Sequence, residues 1–367
     1  MLDQPAPQPH VLDDPPPFHS KLLGYGERPY WSPDGKRIAF IERNYGDVCE
    51  IDLATRVVRN ITHGLGEHHT FLRVLYLHNG DYLLIGPREF KHRDISRHVE
   101  SELWLLDKAA QTPPVPLGRR IFEGAAVSIH APRIAYAVTG RNDPSLGDPD
   151  RVECHVTEIE YGPGGPRLGA DQIIYRTEGG YLAEPQDFRH QDTEVIMAGY
   201  DFRRAIHPHT QRCMVKGVEI ATGKVRTYIN EPNVHNECEG IFPDGEHCCL
   251  ESSCDMEPQG KYTIKTRDLW KLKLDGSGRR VRMTHFYDRP PRIVASPNAP
   301  IGPWHTAPWL ATNSNVSPDG RWLAFMVNLL NDEAGFGRGL GLLDLAAWEA
   351  SPEAQEWEAA PVGEEAG

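Results

Sequence analysis

An all-β ring of six four-stranded sheets, a β-propeller, is the fold this sequence predicts. Three observations predict it. Near-copies of one block stand at Trp31-Ser32-Pro33-Asp34-Gly35-Lys36-Arg37-Ile38-Ala39-Phe40, Ile241-Phe242-Pro243-Asp244-Gly245 and Val316-Ser317-Pro318-Asp319-Gly320-Arg321-Trp322-Leu323-Ala324-Phe325. Each reads strand, turn, strand, because Pro presets φ, Asp tolerates the bridging conformation and Gly accepts positive φ. Apolar and polar residues alternate along most flanking segments, as in half-buried sheet. Such a unit cannot bury its own faces and must stack on its neighbours.

Aligning on the turn gives six units. The first runs from Tyr30 through Ala39-Phe40-Ile41, Val48 to Leu53 and Val57 to Thr62. Unit two turns at Asn79-Gly80, continuing with Tyr82 to Ile85 and Glu102 to Leu106. In unit three the turn has degenerated to His130-Ala131-Pro132, but Arg133 to Ala137 matches Arg37 to Ile41. Unit four has Phe188 to Asp192, Val195 to Met197 and Val215 to Ile220. Units five and six carry clear turns, with Asp268 to Leu272 and Gly341 to Leu345 as third strands. The sixth unit lacks a fourth strand of its own. Ser20 to Gly26 resembles Arg59 to Gly64, the fourth strand of unit one, so the N-terminal segment is expected to complete the last blade and close the ring. A seventh blade within 284–310 is the alternative count, although the Pro-rich run there reads better as a loop over one face. The expected organisation is a Pro-rich flexible arm over 1–17, one propeller domain over 18–349 and an acidic disordered tail over 350–367.

Of the 367 residues 39% are hydrophobic and 25% charged, enough for a packed core. No apolar run approaches the ~18 residues of a membrane helix, and the N-terminus lacks a signal-peptide pattern. A net charge of −13 argues against nucleic acid and against an acidic membrane surface as partners. Seven cysteines, an odd number, point to reduced thiols and a cytoplasmic protein. Cys238, Cys248, Cys249 and Cys254 contain no C-x2-C pair and read as buried strand residues rather than a zinc site.

The Ser-Pro-Asp-Gly-Lys/Arg-x-x-Ala-Phe block resembles the WD40-like repeat of TolB and its relatives, a motif that also occurs in oligogalacturonate lyases. The final blade of those lyases carries His-x-His before Ser-Pro-Asp-Gly as part of a manganese site. The matching positions here are Asn313 and Asn315, and Asn is a weak ligand for such a metal. Glu184 to Phe188, Glu237 to Gly245 and Asp268 to Gly276 are similar to stand-alone microbial propellers, some of them dehydrating or cyclising catalysts of natural-product pathways.

Counting back six positions from each turn proline or its equivalent gives Glu27, Leu72, Glu123, Glu184, Glu237 and Thr312. In register, these residues start the innermost strands around one mouth of the central channel. Gathered carboxylates repel, so some are held protonated or neutralised by cations, for which Arg28 and Arg73 stand one position on. Gln186 and Glu239 lie two positions beyond their glutamates. The structural alternative has these glutamates bonding backbone amides and tying blade to blade. Seventeen histidines include His68 and His69, just before the inner strand of blade two and candidates for proton transfer. A metal held by His68, His69, His235 and a glutamate is a further alternative, with no fixed spacing behind it. Trp304 and His305, in the Pro-rich loop, are candidates to cover an apolar or sugar-like ligand.

These residues make two functional expectations. One is an enzyme acting on a small organic molecule by elimination, dehydration or cyclisation, with His68 or His69, Arg28, Arg73 and Glu184 as catalytic groups. Glu27, Glu123, Gln186, Glu237, Glu239, Asn313, Asn315, Trp304 and His305 would then contact substrate. No organic cofactor is expected, and a divalent metal stays open, including an oligogalacturonate-lyase-like use of it. The other is a noncatalytic ligand- or protein-binding propeller. Sequence leaves the oligomeric state open.

Overall fold

A computed structural model describes residues 8–201, 212–232, 234–254, 266–294, 305–330, 332–333 and 335–359. Six sheets form the blades. Blade one is β2 (Glu27–Trp31), β3 (Arg37–Ile41), β4 (Val48–Asp52) and β5 (Val58–Asn60). Blade two is β6 (Arg73–Tyr76), β7 (Tyr82–Gly86), β8 (Glu102–Leu106) and β9 (Val115–Arg120). Blade three has five strands, β10 (Phe122–Val127), β11 (Arg133–Thr139), β12 (Val152–Gly162), β13 (Gly165–Leu168) and β14 (Gln172–Thr177), the last two both pairing with the long β12. Blade four is β15 (Tyr181–Arg189), β16 (Glu194–Asp201), β17 (Arg212–Glu219) and β18 (Val225–Ile229). Blade five is β19 (Asn236–Ile241), β20 (His247–Ser252), β21 (Asp268–Lys273) and β22 (Arg280–Arg282). Blade six is β25 (Trp309–Val316), β26 (Trp322–Leu329) and β27 (Leu340–Asp344), completed by β1 (His19–Leu23). The first strand of each blade is innermost, and these strands meet in the order β2, β6, β10, β15, β19, β25 and back to β2.

The turns work as the residues require. Ser32 donates its hydroxyl to Asp34 at 2.6 Å, Asp34 and the Ser32 oxygen accept the backbone N–H of Lys36 and Arg37, and Gly35 sits at φ 66°. Ser317, Asp319 and Gly320 (φ 71°) repeat the arrangement in blade six. Core packing lies between blades. Trp31, Ile38, Phe40 and Ile51 of blade one bury against Ala324, Met326, Leu340 and Leu342 of blade six.

Ring closure follows the sequence reading: β1 pairs antiparallel with β27, His19 opposite Leu343. The region 284–310 adds no seventh blade among the described residues. It contributes a two-stranded hairpin, β23 (Arg292–Val294) with β24 (His305–Ala307), part of the segment between them lying outside the described residues. The described parts of the two terminal segments, 8–17 and 350–359, pack on the propeller, while 1–7 lies outside the described residues. Val11 and Leu12 are buried in one cluster with Phe286 and Trp309, and His10 Nε2 bonds the Arg338 carbonyl at 2.8 Å. At the other end, helix Leu345–Glu349 leads into helix Pro352–Ala359. Trp348 and Ala354 are buried there because small and aromatic residues face blade five and six strands. Residues 360–367 lie outside the described residues. All seven cysteines are buried and form no disulfide among the described residues, and no described helix is long and apolar enough to cross a membrane.

Candidate active site

The same irregularity recurs in five of the six innermost strands. Antiparallel register shifts between Glu27 and Tyr30, Phe122 and Ala125, Pro185 and Asp187, Cys238 and Gly240, and Thr312 and Asn315. A bulge inserts unpaired residues and re-aims their side chains. Three of these residues, Arg28 (φ 51°), Glu123 (φ 44°) and Asn313 (φ 45°), hold positive φ, a conformation that side chains other than glycine's rarely adopt. All three face a cavity of about 540 Å³ at the channel mouth.

Of the expected residues, the fold gathers Arg28, Arg73, Glu123, Glu184, Glu237 and Glu239 in this cavity, with Asn313 beside them. Glu123 is the centre of a basic wall. Arg28 Nη2 donates to it at 3.0 Å, Arg97 grips it through two nitrogens, and Arg73 stands 3.9 Å away. Burial opposes its charge, but Arg97, Arg28 and Arg73 hold the carboxyl far below the usual range. Glu184 fares differently. Burial, then the Glu123 charge, pushes it up to about 8, with Arg73 at 3.9 Å only partly offsetting this. Glu237 is ionised, held at about 2 against burial by hydrogen bonds from His235 (2.8 Å) and Tyr200 and by Arg267 at 3.5 Å. The Tyr200 hydroxyl touches both acids, bonding Glu237 and lying 3.4 Å from Glu184 Oε2. Glu239 is raised well above its ordinary value by burial and by Glu251 and Glu237.

Other expected residues lie elsewhere. His68 and His69 do not reach the cavity wall. The His68 imidazole bonds the Pro87 carbonyl at 2.6 Å between Phe71 and Trp104, and burial pushes its pKa down to about 4. His69 bonds Asp47 at 2.7 Å. Tandem histidine ahead of an inner strand here serves the wall between blades one and two. Glu27 is buried outside the cavity wall, where burial pushes its pKa up to about 7. Asn315 ties blades: its Oδ1 accepts from the Trp31 backbone N–H at 2.8 Å, as Asp187 does from Ile241 N–H at the same position of blade four. Gln186 is buried outside the cavity wall. His305 belongs to β24, and Trp304 lies outside the described residues.

Sequence reasoning missed Arg97, Tyr200, Glu251 and Arg267. Arg97 sits on α1 (Arg93–His98), a helix inside the long loop after β7. Glu251 carried a usable signal, because the Pro-Asp-Gly hairpin register places it opposite Glu237.

His235, Glu237 and Glu251 bring ligand atoms within 4.8 Å of one another. The chain supplies its own cation there: Arg267 Nη1 lies 2.7 Å from Glu251 and 3.5 Å from Glu237. A guanidinium cannot deprotonate to make way, so this donor set does not fit a resident divalent ion. Nor do the positions matching the lyase His-x-His, since Asn315 is spent on Trp31 and the Asn313 amide donates to Glu239 at 3.3 Å.

No family model matches the chain, and no curated protein does. Among solved structures it resembles the oligogalacturonate lyase of Vibrio parahaemolyticus, at 10% identity over 87% of this chain and 78% of that one, TM-score 0.50. It also resembles a gluconolactonase from Xanthomonas campestris, at 11% identity over 89% and 88%, TM-score 0.50. The fold is a six-bladed β-propeller. At such identities these likenesses speak for the fold, and the site has to be argued from its own residues.

Proposed function

We propose that the cavity is the active site of an enzyme that moves protons on a small polar organic substrate, in an elimination or dehydration, or in a cyclisation using the same groups. The observation that carries this is that two buried carboxyls share the Tyr200 hydroxyl in opposite surroundings, burial and Glu123 pushing the Glu184 pKa up, His235 and Arg267 pulling the Glu237 pKa down. Paired titratable groups pushed apart by their surroundings mark acid and base.

In an elimination, the substrate C–H proton passes to the Tyr200 oxygen as the phenol proton moves to Glu237. The C–H electron pair forms the new C=C, the C–O bond breaks, and Glu184 protonates the departing oxygen. Arg28 and Arg73 stabilise the negative charge that develops between these events. Afterwards Glu237 holds the proton and Glu184 has lost one, and the Tyr200 hydroxyl, in contact with both, returns it. The cavity volume falls in the range of small-molecule sites.

The test is a panel of hydroxy acids and uronates, followed by ultraviolet absorbance of a new carboxylate-conjugated double bond. Turnover by the native protein should fall ~10²–10⁴-fold in Glu184→Gln, with the fold retained by circular dichroism. A Glu184→Gln protein as active as the native one contradicts the assignment.

A further inference from the structure

The basic wall concentrates guanidiniums, although Arg73 also faces Glu184, Glu239 and Glu237. Three guanidiniums, Arg28, Arg73 and Arg97, converge on the one carboxylate of Glu123. Arg28 is 5% exposed and Arg97 8% exposed. Glu184, the next acid along the wall, sits 3.9 Å from Arg73. Buried charge is costly unless paired and hydrogen-bonded. Yet Arg28 Nε and Nη1 and Arg73 Nε have no hydrogen-bond partner among the described residues, and neither does Glu184 Oε1.

The backbone is shaped to hold these groups in place. Gly335, at φ 82°, lies so close that a Cβ there would stand 2.2 Å from Arg28 Nη2. A Cβ on Gly124 would meet Glu184 Oε1 at 2.4 Å and the Arg73 guanidinium at 3.5 Å. Arg28 and Glu123 both occupy positive φ. Two glycines and two strained residues thus press an arginine pair and a carboxyl toward one end of the cavity. This arrangement does not follow from blade packing, which Asn315 and Asp187 serve elsewhere.

We infer that the Arg28–Arg73 wall is the recognition site for a carboxylate carried by the substrate, one carbon from the position where the proton is removed. The inference rests on the acid–base reading of the cavity and adds the substrate class to it. A carboxylate satisfies unpartnered N–H donors on two guanidiniums with charge-assisted bonds. The same contact acidifies the neighbouring C–H, because the charge that builds on the carboxylate as the proton leaves is already faced by cations. The reacting carbon then lies between the wall and Tyr200, and the leaving oxygen lies toward Glu184.

The probe is lactate, with lactamide as its uncharged counterpart and inorganic phosphate as a second oxyanion. Each is titrated into the full-length protein while the arginine Nε–Hε signals are followed by ¹H–¹⁵N NMR. Spectra of Arg28→Lys and Arg73→Lys assign the two signals, and if one variant fails to fold the other and the native titration suffice. Lactate should shift the Arg28 and Arg73 signals saturably, lactamide should not, and either folded lysine variant should bind lactate at least tenfold more weakly. Equal shifts from lactamide, shifts from phosphate alone, or no shift from lactate overturn the inference. Loss of lactate binding alongside an inactive Glu184→Gln protein would remove the carboxylate and leave the acid–base reading standing. Lactate binding alongside a fully active Glu184→Gln protein would do the reverse.

Discussion

Glu184 and Glu237 touch the same Tyr200 hydroxyl, yet their surroundings push their pKa values in opposite directions. Glu237 has His235 and Arg267 behind it, whereas Glu184 meets burial and the Glu123 charge with Arg73 at 3.9 Å and, more weakly, Arg97 in compensation. Tyr200→Phe keeps the ring but removes the hydroxyl that links them. Turnover should fall ~10²-fold or more with substrate affinity little changed, measured as separate kcat and KM. The Glu184 shift also has a stability consequence. Its folded pKa lies above the ordinary 4.5, so the folded protein keeps a proton that the unfolded chain releases. Stability therefore declines as pH rises from about 4.5 toward about 8. Glu184→Gln escapes that decline, so its melting temperature relative to the native protein should climb between pH 5 and pH 8. A constant difference across that window would show that Glu184 is ionised throughout.

At the scale of the element, one bulged strand start does two jobs. Residues inside the bulge, such as Arg28 and Glu123, face the cavity, while the residue just after it in blades four and six reaches the next blade. Asn315→Ala leaves the buried Trp31 N–H without its acceptor and should cost about 1–3 kcal/mol in urea unfolding, with kcat unchanged. Loss of activity larger than loss of stability would place Asn315 in the site after all. The self-supplied cation at Glu237 and Glu251 makes a second element-level prediction. Dialysis against a chelator should leave the melting temperature unaltered; a fall that manganese restores would mean that an ion, not Arg267 alone, holds the pair.

For the whole molecule, the ring was legible because a Pro-Asp-Gly turn at a fixed offset repeats with its flanking strands, and Ser20 to Leu23 matched a missing fourth strand. Glu123, Glu184 and Glu237 were found by the same offset. Glu27 shared the offset but not the fate, since the bulge after it hands the cavity to Arg28 and leaves Glu27 buried outside the cavity wall. Bulges have no mark in a hydrophobic pattern. Arg97, Tyr200 and Arg267 come from a loop helix, a second strand and a strand approach, none at a constant distance from a turn. His68 and His69 misled because nearness in sequence to an inner strand says nothing about which side of the wall a loop faces. The closing strand itself invites a test: removing residues 1–23 unpairs β27 and exposes its edge. The truncated protein should associate on size exclusion, where the full chain gives a single species.

The protonation split is the claim on which the rest stands, and ¹³C NMR of glutamate side-chain carboxyls measures it without knowledge of the substrate. One carboxyl, absent from the spectrum of Glu184→Gln, should titrate near pH 8. If the signal lost in that variant titrates in the ordinary range near 4.5, Glu184 is no acid at neutral pH and the proposed chemistry falls.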